Sequence, residues 1–205
     1  EIYGRGTFRA FWWSPDSKRI AYLQLDESPV FRFTIIDHLP VRQGVETENY
    51  PKAGDPNPIA RLFIAPRSGG SSVEVKLEKY PPQNRLLVDG LWRPDGSALI
   101  YEAQDREQTF LDVNAADPST GETTVLFRET TKAWVDRDAP PEFLPDGSML
   151  WLSERDGWKH IYHYSGDGKL LGQVTHGTWE ARKLHGVDAR GWIYFSGTER
   201  SSIGQ

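Results

Sequence analysis

Apolar and polar residues alternate along most of this chain in short runs bounded by glycine, proline or aspartate. Residues 20–25, 99–103 and 160–164 are clear examples of such runs. A side-chain period of two is typical of β-strands with one face buried, and no segment keeps the apolar spacing of a helix. The pattern therefore predicts an all-β protein.

One strand–turn–strand unit recurs along the sequence. It reads WSPDSKRIAY at 13–22, WRPDGSALIY at 92–101, LPDGSMLW at 144–151 and, more faintly, VDARGWIY at 187–194. Proline presets the first turn position, and aspartate and glycine tolerate the tight positions that follow, so each unit is a hairpin. The later copies are roughly 45–50 residues apart, which is the length of a propeller blade.

Further strand pairs lie between the copies, giving four short strands per repeat. Four-stranded sheets that cannot bury both faces alone stack radially on their neighbours. We therefore predict a partial β-propeller of about three and a half four-stranded antiparallel blades, with residues 1–205 as a fragment of one domain. Tryptophans in the repeats, Trp12 or Trp13, Trp92 and Trp151, are expected to pack within or between blades.

The first two copies lie about 80 residues apart, too far for one blade. The excess covers about 27–57 and includes the proline-rich stretch YPKAGDPNP at 50–58. One interpretation is an arm inserted between the two hairpins of the first blade, with a strand at 31–36 and a stiff return to the blade at Ile59. The other interpretation is an ordinary surface loop.

Composition limits the possible functions. The 205 residues carry a net charge of −5, which argues against nucleic acid as a partner. There is no cysteine for disulfides or thiolate metal sites, and no apolar run near the roughly 18 residues that span a bilayer, so no membrane contact is expected from this segment. The first residue is Glu1 and the last five are turn-like, as expected for a segment of a longer protein.

The chain lacks the residues of a hydrolytic or metal centre. No Gly-x-Ser-x-Gly nucleophile motif occurs, so no catalytic residue is predicted and an α/β-hydrolase domain is absent. His160 and His163 are three residues apart on a predicted strand and face opposite sides, so they cannot hold one metal ion. The recurring aspartates at 16, 95 and 146 are expected to form turns, and no cofactor is predicted.

Several motifs in order resemble one known family. They are EIYGRG at 1–6, FWWSPD at 11–16, YPKAGDPNP at 50–58, DGWKHIY at 156–162 and THGTWE at 175–180. Together they resemble the propeller of the dipeptidyl peptidase IV family, among the prolyl oligopeptidase-type serine peptidases. The resemblance implies a parent enzyme that releases N-terminal dipeptides, Xaa-Pro or Xaa-Ala, from peptides with a free N-terminus. It also implies a periplasmic or extracellular location and a catalytic domain after the propeller, so that this fragment alone should be inactive.

The resemblance implies roles for particular residues. Glu1 matches the second of two glutamates that bind the α-amino group of the peptide; the alternative is a solvated terminal acid. Arg137 matches an arginine that lines the substrate cavity. Residues 37–42 fall where the family extends a blade to a partner subunit, which implies a homodimer through the arm.

A second function remains open at this point. Repeats of this kind also build non-catalytic propeller scaffolds that bind protein partners. A Gly-x-Ser-x-Gly motif encoded downstream of Gln205 would distinguish the peptidase from the scaffold.

Overall fold

A computed structural model describes residues 9–136 and 139–201. The described residues form sixteen strands and one short 3₁₀ helix, Pro82–Asn84. The strands are β1 Phe11–Trp13, β2 Arg19–Asp26, β3 Arg32–Asp37, β4 Gly44–Asn49, β5 Ile59–Pro66, β6 Val73–Glu74, β7 Arg85–Trp92, β8 Leu99–Asp105, β9 Phe110–Ala116, β10 Thr123–Thr130, β11 Glu142–Phe143, β12 Met149–Ser153, β13 His160–Tyr164, β14 Leu170–Gln173, β15 Ala181–Val187 and β16 Ile193–Gly197. The all-β prediction is confirmed.

Three sheets have four antiparallel strands each, and we call them blades 1 to 3. Their strand orders are β1-β2-β5-β6, β7-β8-β9-β10 and β11-β12-β13-β14. The pair β15-β16 begins a fourth blade within the described residues. Three complete sheets and a half sheet confirm the predicted partial propeller.

The insertion in blade 1 forms a two-stranded antiparallel ribbon, β3-β4, which we call the arm. It leaves the blade after β2 and returns before β5, and these two strands pair directly, with Asp26 opposite Ile59. The strand predicted at 31–36 is β3. The proline-rich return makes a turn, in which the Asp55 N–H donates to the Lys52 carbonyl at 3.0 Å, and then enters β5.

Blade 2 is buried on both faces because its second strand alternates between two cores. Leu99 and Tyr101 of β8 pack in the core shared with blade 1, and Ile100 packs in the core shared with blade 3. Every residue of β8 is buried. Successive strand side chains point to opposite faces, so one strand supplies both interfaces.

The repeat tryptophans lie in these cores. Trp12 and Trp92 are buried between blades 1 and 2, and Trp151 is buried between blades 2 and 3. Trp92 Nε1 donates to the Trp12 carbonyl at 3.0 Å, which joins β7 to β1. Trp13 is 45% exposed, so Trp12 is the packed member of the pair.

The repeated turns hold themselves together, as predicted for the turn aspartates. Asp95 Oδ1 accepts the Ser97 N–H at 2.9 Å, and Asp146 does the same for Ser148. Glycine takes the left-handed position in the second and third copies, Gly96 at φ 70° and Gly147 at φ 82°. These bonds lower the pKa of both carboxyl groups, the serine hydroxyl contributing most in each case.

A glycine in the second hairpin of blade 3 allows two blades to approach closely. Gly168 has φ 89°, and a Cβ placed there would lie 2.2 Å from the Leu126 carbonyl oxygen of β10. No side chain fits at such a distance, so only glycine allows this turn to lean on blade 2.

Candidate functional site

Both residues predicted to bind substrate, Glu1 and Arg137, lie outside the described residues. The described chain next to them can be located. Ala10, just before β1, accepts the Leu23 N–H of β2 at 2.9 Å, and Asp136 follows the last strand of blade 2. Both segments belong to the same end of the sheets.

The antiparallel order assigns every loop to one of two ends. The repeated turns lie at the end we call the turn end, together with the second-hairpin turns of the blades. The arm leaves from the opposite end, which we call the arm end. The described parts of the three connections between consecutive blades also lie there, at 75–84, at 131–136 with 139–141, and at 174–180. In sequence, Arg137 directly follows the described part of the second connection that ends at Asp136, and the chain enters β1 from the same end.

An arginine fastens the first connection. Arg85, at the start of β7, donates from Nη2 to the Ala60 carbonyl at 2.6 Å. Its Nη1 reaches the Leu77 and Tyr80 carbonyls at 3.4 and 3.3 Å. Burial lowers the pKa of this guanidinium. One partly buried cation thus joins blade 1, the connection and blade 2.

The second connection is fastened at Val135, two residues before Arg137. The Val135 N–H donates to the Gln108 carbonyl at 2.7 Å, and its carbonyl accepts Nε2 of Gln104 at 2.6 Å. Gln104 is buried on β8, and the Val135 side chain packs in the core between blades 2 and 3. Hydrogen bonds therefore fix the backbone of Val135 on both sides, and core packing fixes its side chain.

A charged cluster at the ends of β10 and β12 lies close to this connection along the chain. Glu129 is buried and accepts hydrogen bonds from Trp151 Nε1 at 3.0 Å, Ser153 Oγ at 2.8 Å and Arg155 Nη2 at 2.7 Å. The Arg155 guanidinium also lies 4.4 Å above the Tyr162 ring. The carboxylate has three donors, as a buried charge requires. Its role is to tie blade 2 to blade 3.

A histidine fastens the third connection. His160 is fully buried at the start of β13, with Nε2 2.9 Å from the Gly177 carbonyl and Nδ1 3.0 Å from Thr175 Oγ1. Because the Gly177 carbonyl can only accept, Nε2 is the donor in this hydrogen bond. The Ile161 N–H donates to the same Thr175 oxygen at 3.0 Å.

His160 and His163 make separate hydrogen bonds at opposite ends of blade 3. His163 Nε2 lies 2.8 Å from Ser148 Oγ, at the turn end of blade 3, away from His160. In 9–136 and 139–201, no group of three or more His, Cys, Asp or Glu could hold a metal ion. Within the same ranges, no helix has the length and apolar character needed to cross a membrane.

Blade 2 holds a further buried carboxylate with an arginine partner, which sequence analysis missed. Asp112 is fully buried, and it accepts Arg128 Nε at 2.6 Å and the Tyr80 hydroxyl at 2.8 Å. Burial raises the pKa of Tyr80, and the hydrogen bond to Asp112 raises that of Arg128. Tyr80 lies in the connection between blades 1 and 2 and packs in their shared core, so this cluster stabilises the interface of the two blades.

Sequence analysis also missed Arg85 and Gln104. The available signal was weak: each is a polar residue at a strand end next to an apolar run. Their acceptors lie 25 and 31 residues away in the sequence, so the pattern alone does not reveal them.

The arm carries the largest group of exposed apolar side chains in the described chain. They are Phe31, Ile35, Ile36, Leu39, Val41, Val45 and Tyr50. A groove of about 430 Å³ lies at the base of the arm. Across it, Asn49 Nδ2 donates to Glu27 Oε2 at 2.7 Å, and Arg32 Nη2 donates to Thr47 Oγ1 at 3.0 Å. These bonds fix where the arm leaves the blade and leave its apolar residues open.

Comparison with known proteins gives a consistent result. The family model "Dipeptidyl peptidase IV (DPP IV) N-terminal region" matches residues 5–205. "Probable dipeptidyl peptidase 4" of Emericella nidulans is 26% identical over 94% of this chain and 27% of its own length. "Dipeptidyl peptidase 4" of Bos taurus is 27% identical over 92% of this chain and 27% of its own length.

Solved structures agree with the fold. The chain matches Porphyromonas gingivalis dipeptidyl peptidase 4 with a TM-score of 0.87 and 25% identity, covering 96% of this chain and 28% of that one. A putative dipeptidyl aminopeptidase IV from Bacteroides ovatus has the same fold, with a TM-score of 0.81. The chain spans about a quarter of the length of these relatives. On the match over residues 5–205, this chain belongs to the dipeptidyl peptidase IV N-terminal region family.

Proposed function

We propose that this chain is the substrate-anchoring and substrate-gating part of the propeller of a serine dipeptidyl peptidase. The observation that carries the proposal is the family match over residues 5–205. It is supported by the arm end, where the chain enters β1 and where the connection containing Arg137 begins. The parent protein would release N-terminal dipeptides with Pro or Ala second.

In this proposal the chain binds, and another domain cuts. The Glu1 carboxylate pairs with the α-ammonium of the peptide, a charge-assisted contact that gains strength as water leaves. Arg137 offers a guanidinium to the peptide backbone or its carboxylates. The fastening of Val135 by Gln104 and Gln108 limits the freedom of the chain leading to Arg137. A fixed anchor holds the scissile bond at a set distance from the amino group of the peptide. This positioning raises the rate of cleavage, because the reacting groups are already oriented.

Bond cleavage requires a nucleophile that this chain does not encode. In serine peptidases the hydroxyl attacks the carbonyl carbon, the amine of the remaining peptide leaves, and water then releases the acyl group. The present chain supplies the geometry of the substrate for that reaction.

The test is Glu1→Gln in the full-length protein, which keeps the shape and removes the charge. Loss of one partner of a buried charge pair costs on the order of 2–5 kcal/mol, so kcat/KM for free peptides should fall steeply. Peptides with a blocked amino group should be poor substrates and should change little. An equal loss on both classes would indicate misfolding, and no loss on either would remove Glu1 from the site. A parent with no peptidase activity would favour the scaffold function.

We also propose that the arm contacts a second copy of the chain. Ile36 and Val45 are opposite each other on the ribbon and are 43% and 64% exposed. Contiguous apolar surface of this kind marks interaction sites. Replacing both by Asp should convert a dimer of the full-length protein to a monomer in sedimentation runs. Asp at Leu170, which is 45% exposed on β14, is the matched control and should leave the dimer intact.

A further inference from the structure

Trp134 combines an exposed side chain with a rigid backbone. The residue is 65% exposed to solvent. Its carbonyl accepts Thr131 Oγ1 at 3.0 Å, and the next residue is held by the Gln108 carbonyl and the buried Gln104 amide. A loop fastened at consecutive positions presents this aromatic side chain in one place.

Exposure alone would carry no inference, since single apolar residues are common on protein surfaces. Trp192 makes this clear: it is 66% exposed in the β15–β16 turn, at the turn end. Its carbonyl and N–H are held by Asp188, within a local turn of five residues, 188–192. The Trp134 segment is instead fixed by a buried amide from another strand, at the end that carries the proposed substrate site.

We propose that Trp134 is a specificity residue that stacks on an apolar ring of the bound peptide, beyond the first two residues. This inference rests on the proposed peptidase function. The site takes phenylalanine, tyrosine, tryptophan or proline side chains on the part of the peptide that leaves after cleavage. Gln104 acts as a positioning residue, because it touches the connection and not the peptide.

The blade spacing indicates which peptide residues reach Trp134. Packed sheets lie about 10 Å apart, and Trp134 follows blade 2, one to two spacings from the first strand of blade 1. An extended peptide advances about 3.4 Å per residue. A peptide held by its amino group next to blade 1 therefore meets Trp134 with about residues three to six. A dipeptide spans about 7 Å and stops short of it.

The test uses the full-length enzyme and three substrates. One is a dipeptidyl p-nitroanilide, which reports anchoring and chemistry alone. The other two are peptides with Pro second that are identical except at residues three to six, which are Phe in one and Gly in the other. The measured quantity is the preference ratio, kcat/KM for the Phe peptide divided by kcat/KM for the Gly peptide.

Trp134→Ala should lower the preference ratio about three- to tenfold, the range expected for one aromatic pair. Trp134→Phe should restore most of it. Gln104→Leu should lower the ratio in the same direction through KM, because the connection is released. Trp192→Ala, the control of equal exposure at the turn end, should leave the ratio unchanged.

Each other outcome overturns the inference. A wild-type ratio near one, an unchanged ratio in Trp134→Ala, or an equal fall in Trp192→Ala would show that Trp134 does not select the peptide. An equal loss on the p-nitroanilide and both peptides would show that Trp134 supports folding or is covered by another part of the protein. A wild-type enzyme that cleaves none of the three would overturn the proposed function, and the inference with it.

Discussion

The two ends of the blades are held by different kinds of bond. At the turn end, several turns are closed by an aspartate and a serine two residues apart, such as Asp95 and Ser97 or Asp146 and Ser148. At the arm end, side chains of the strands donate to carbonyls 17 to 31 residues away, as His160 and Gln104 do. The bonds that close the turns are therefore made between neighbours in sequence, whereas the connections at the arm end depend on other strands. The turn end also has a long-range contact, because the Arg93 guanidinium donates to the Gly166 carbonyl and links turns of blades 2 and 3.

Because of this difference, we expect the turns to tolerate sequence changes and the connections to be positioned accurately. A self-contained turn can form before the blade and can change without moving its neighbours. A connection that depends on another strand is placed only when that strand is in position, and it is then placed accurately. Loops that bind ligands benefit from such support by a rigid scaffold.

The largest expected effect concerns Gly168, a turn-end residue that depends on another blade. Gly168→Ala puts a Cβ 2.2 Å from a backbone carbonyl of blade 2 and adds left-handed strain, so it should cost more than about 3 kcal/mol. Gly147→Ala, with a similar φ and open space around it, should cost only about 1–2 kcal/mol. Thermal unfolding of the two full-length variants measures both. Equal costs would mean that the turn is not constrained by blade 2.

The next effect tests the arm end. Gln104→Leu keeps the volume and removes the donor to the Val135 carbonyl, which should cost about 1–3 kcal/mol. The loss should be local, with faster hydrogen exchange in peptides covering 131–136. Gln24→Leu, on the exposed part of β2, is the control and should change little. Unchanged exchange in the Gln104 variant would contradict long-range fastening.

Acid should loosen the turn end before the Gln104 contact. The pKa of Asp146 is lowered from its ordinary value of 3.8 by the Ser148 hydroxyl and then the Ser148 N–H. A lowered folded pKa stabilises the fold above the unfolded value, and this contribution is lost as the pH falls through the folded pKa. Asp146→Asn should therefore flatten the dependence of Tm on pH below about pH 4. An identical slope in wild type and variant would show that this turn does not respond to acid.

The smallest effect concerns the first repeat. Ser17 holds the left-handed position, at φ 56°, where the next two copies have glycine. Ser17→Gly should stabilise the protein by up to about 1 kcal/mol, because relief of strain outweighs the added freedom of the unfolded chain. The reciprocal Gly96→Ser should destabilise by a similar amount. Both are read from Tm, and a loss in Ser17→Gly would show that the turn does not strain serine.

Sequence reasoning found the features that neighbouring residues encode. The repeats gave the blades and the turn aspartates, and the length of the first gap located the arm. It did not choose between Trp12 and Trp13, because the register of a three-residue strand depends on its partner. It missed Gln104, Arg85 and His160 as fastening residues, since their acceptors are set by how blades stack. The two predicted site residues, Glu1 and Arg137, remain predictions.

The direct pairing of Asp26 with Ile59 has a consequence for how such proteins diversify. The two strands that flank the arm stay in register up to the residues where it leaves, so the blade is complete without it. Closing a longer loop costs little more than closing a shorter one, since the entropy grows only with the logarithm of length. Insertions and deletions can therefore change the length of this ribbon while the blades beneath it keep their shape.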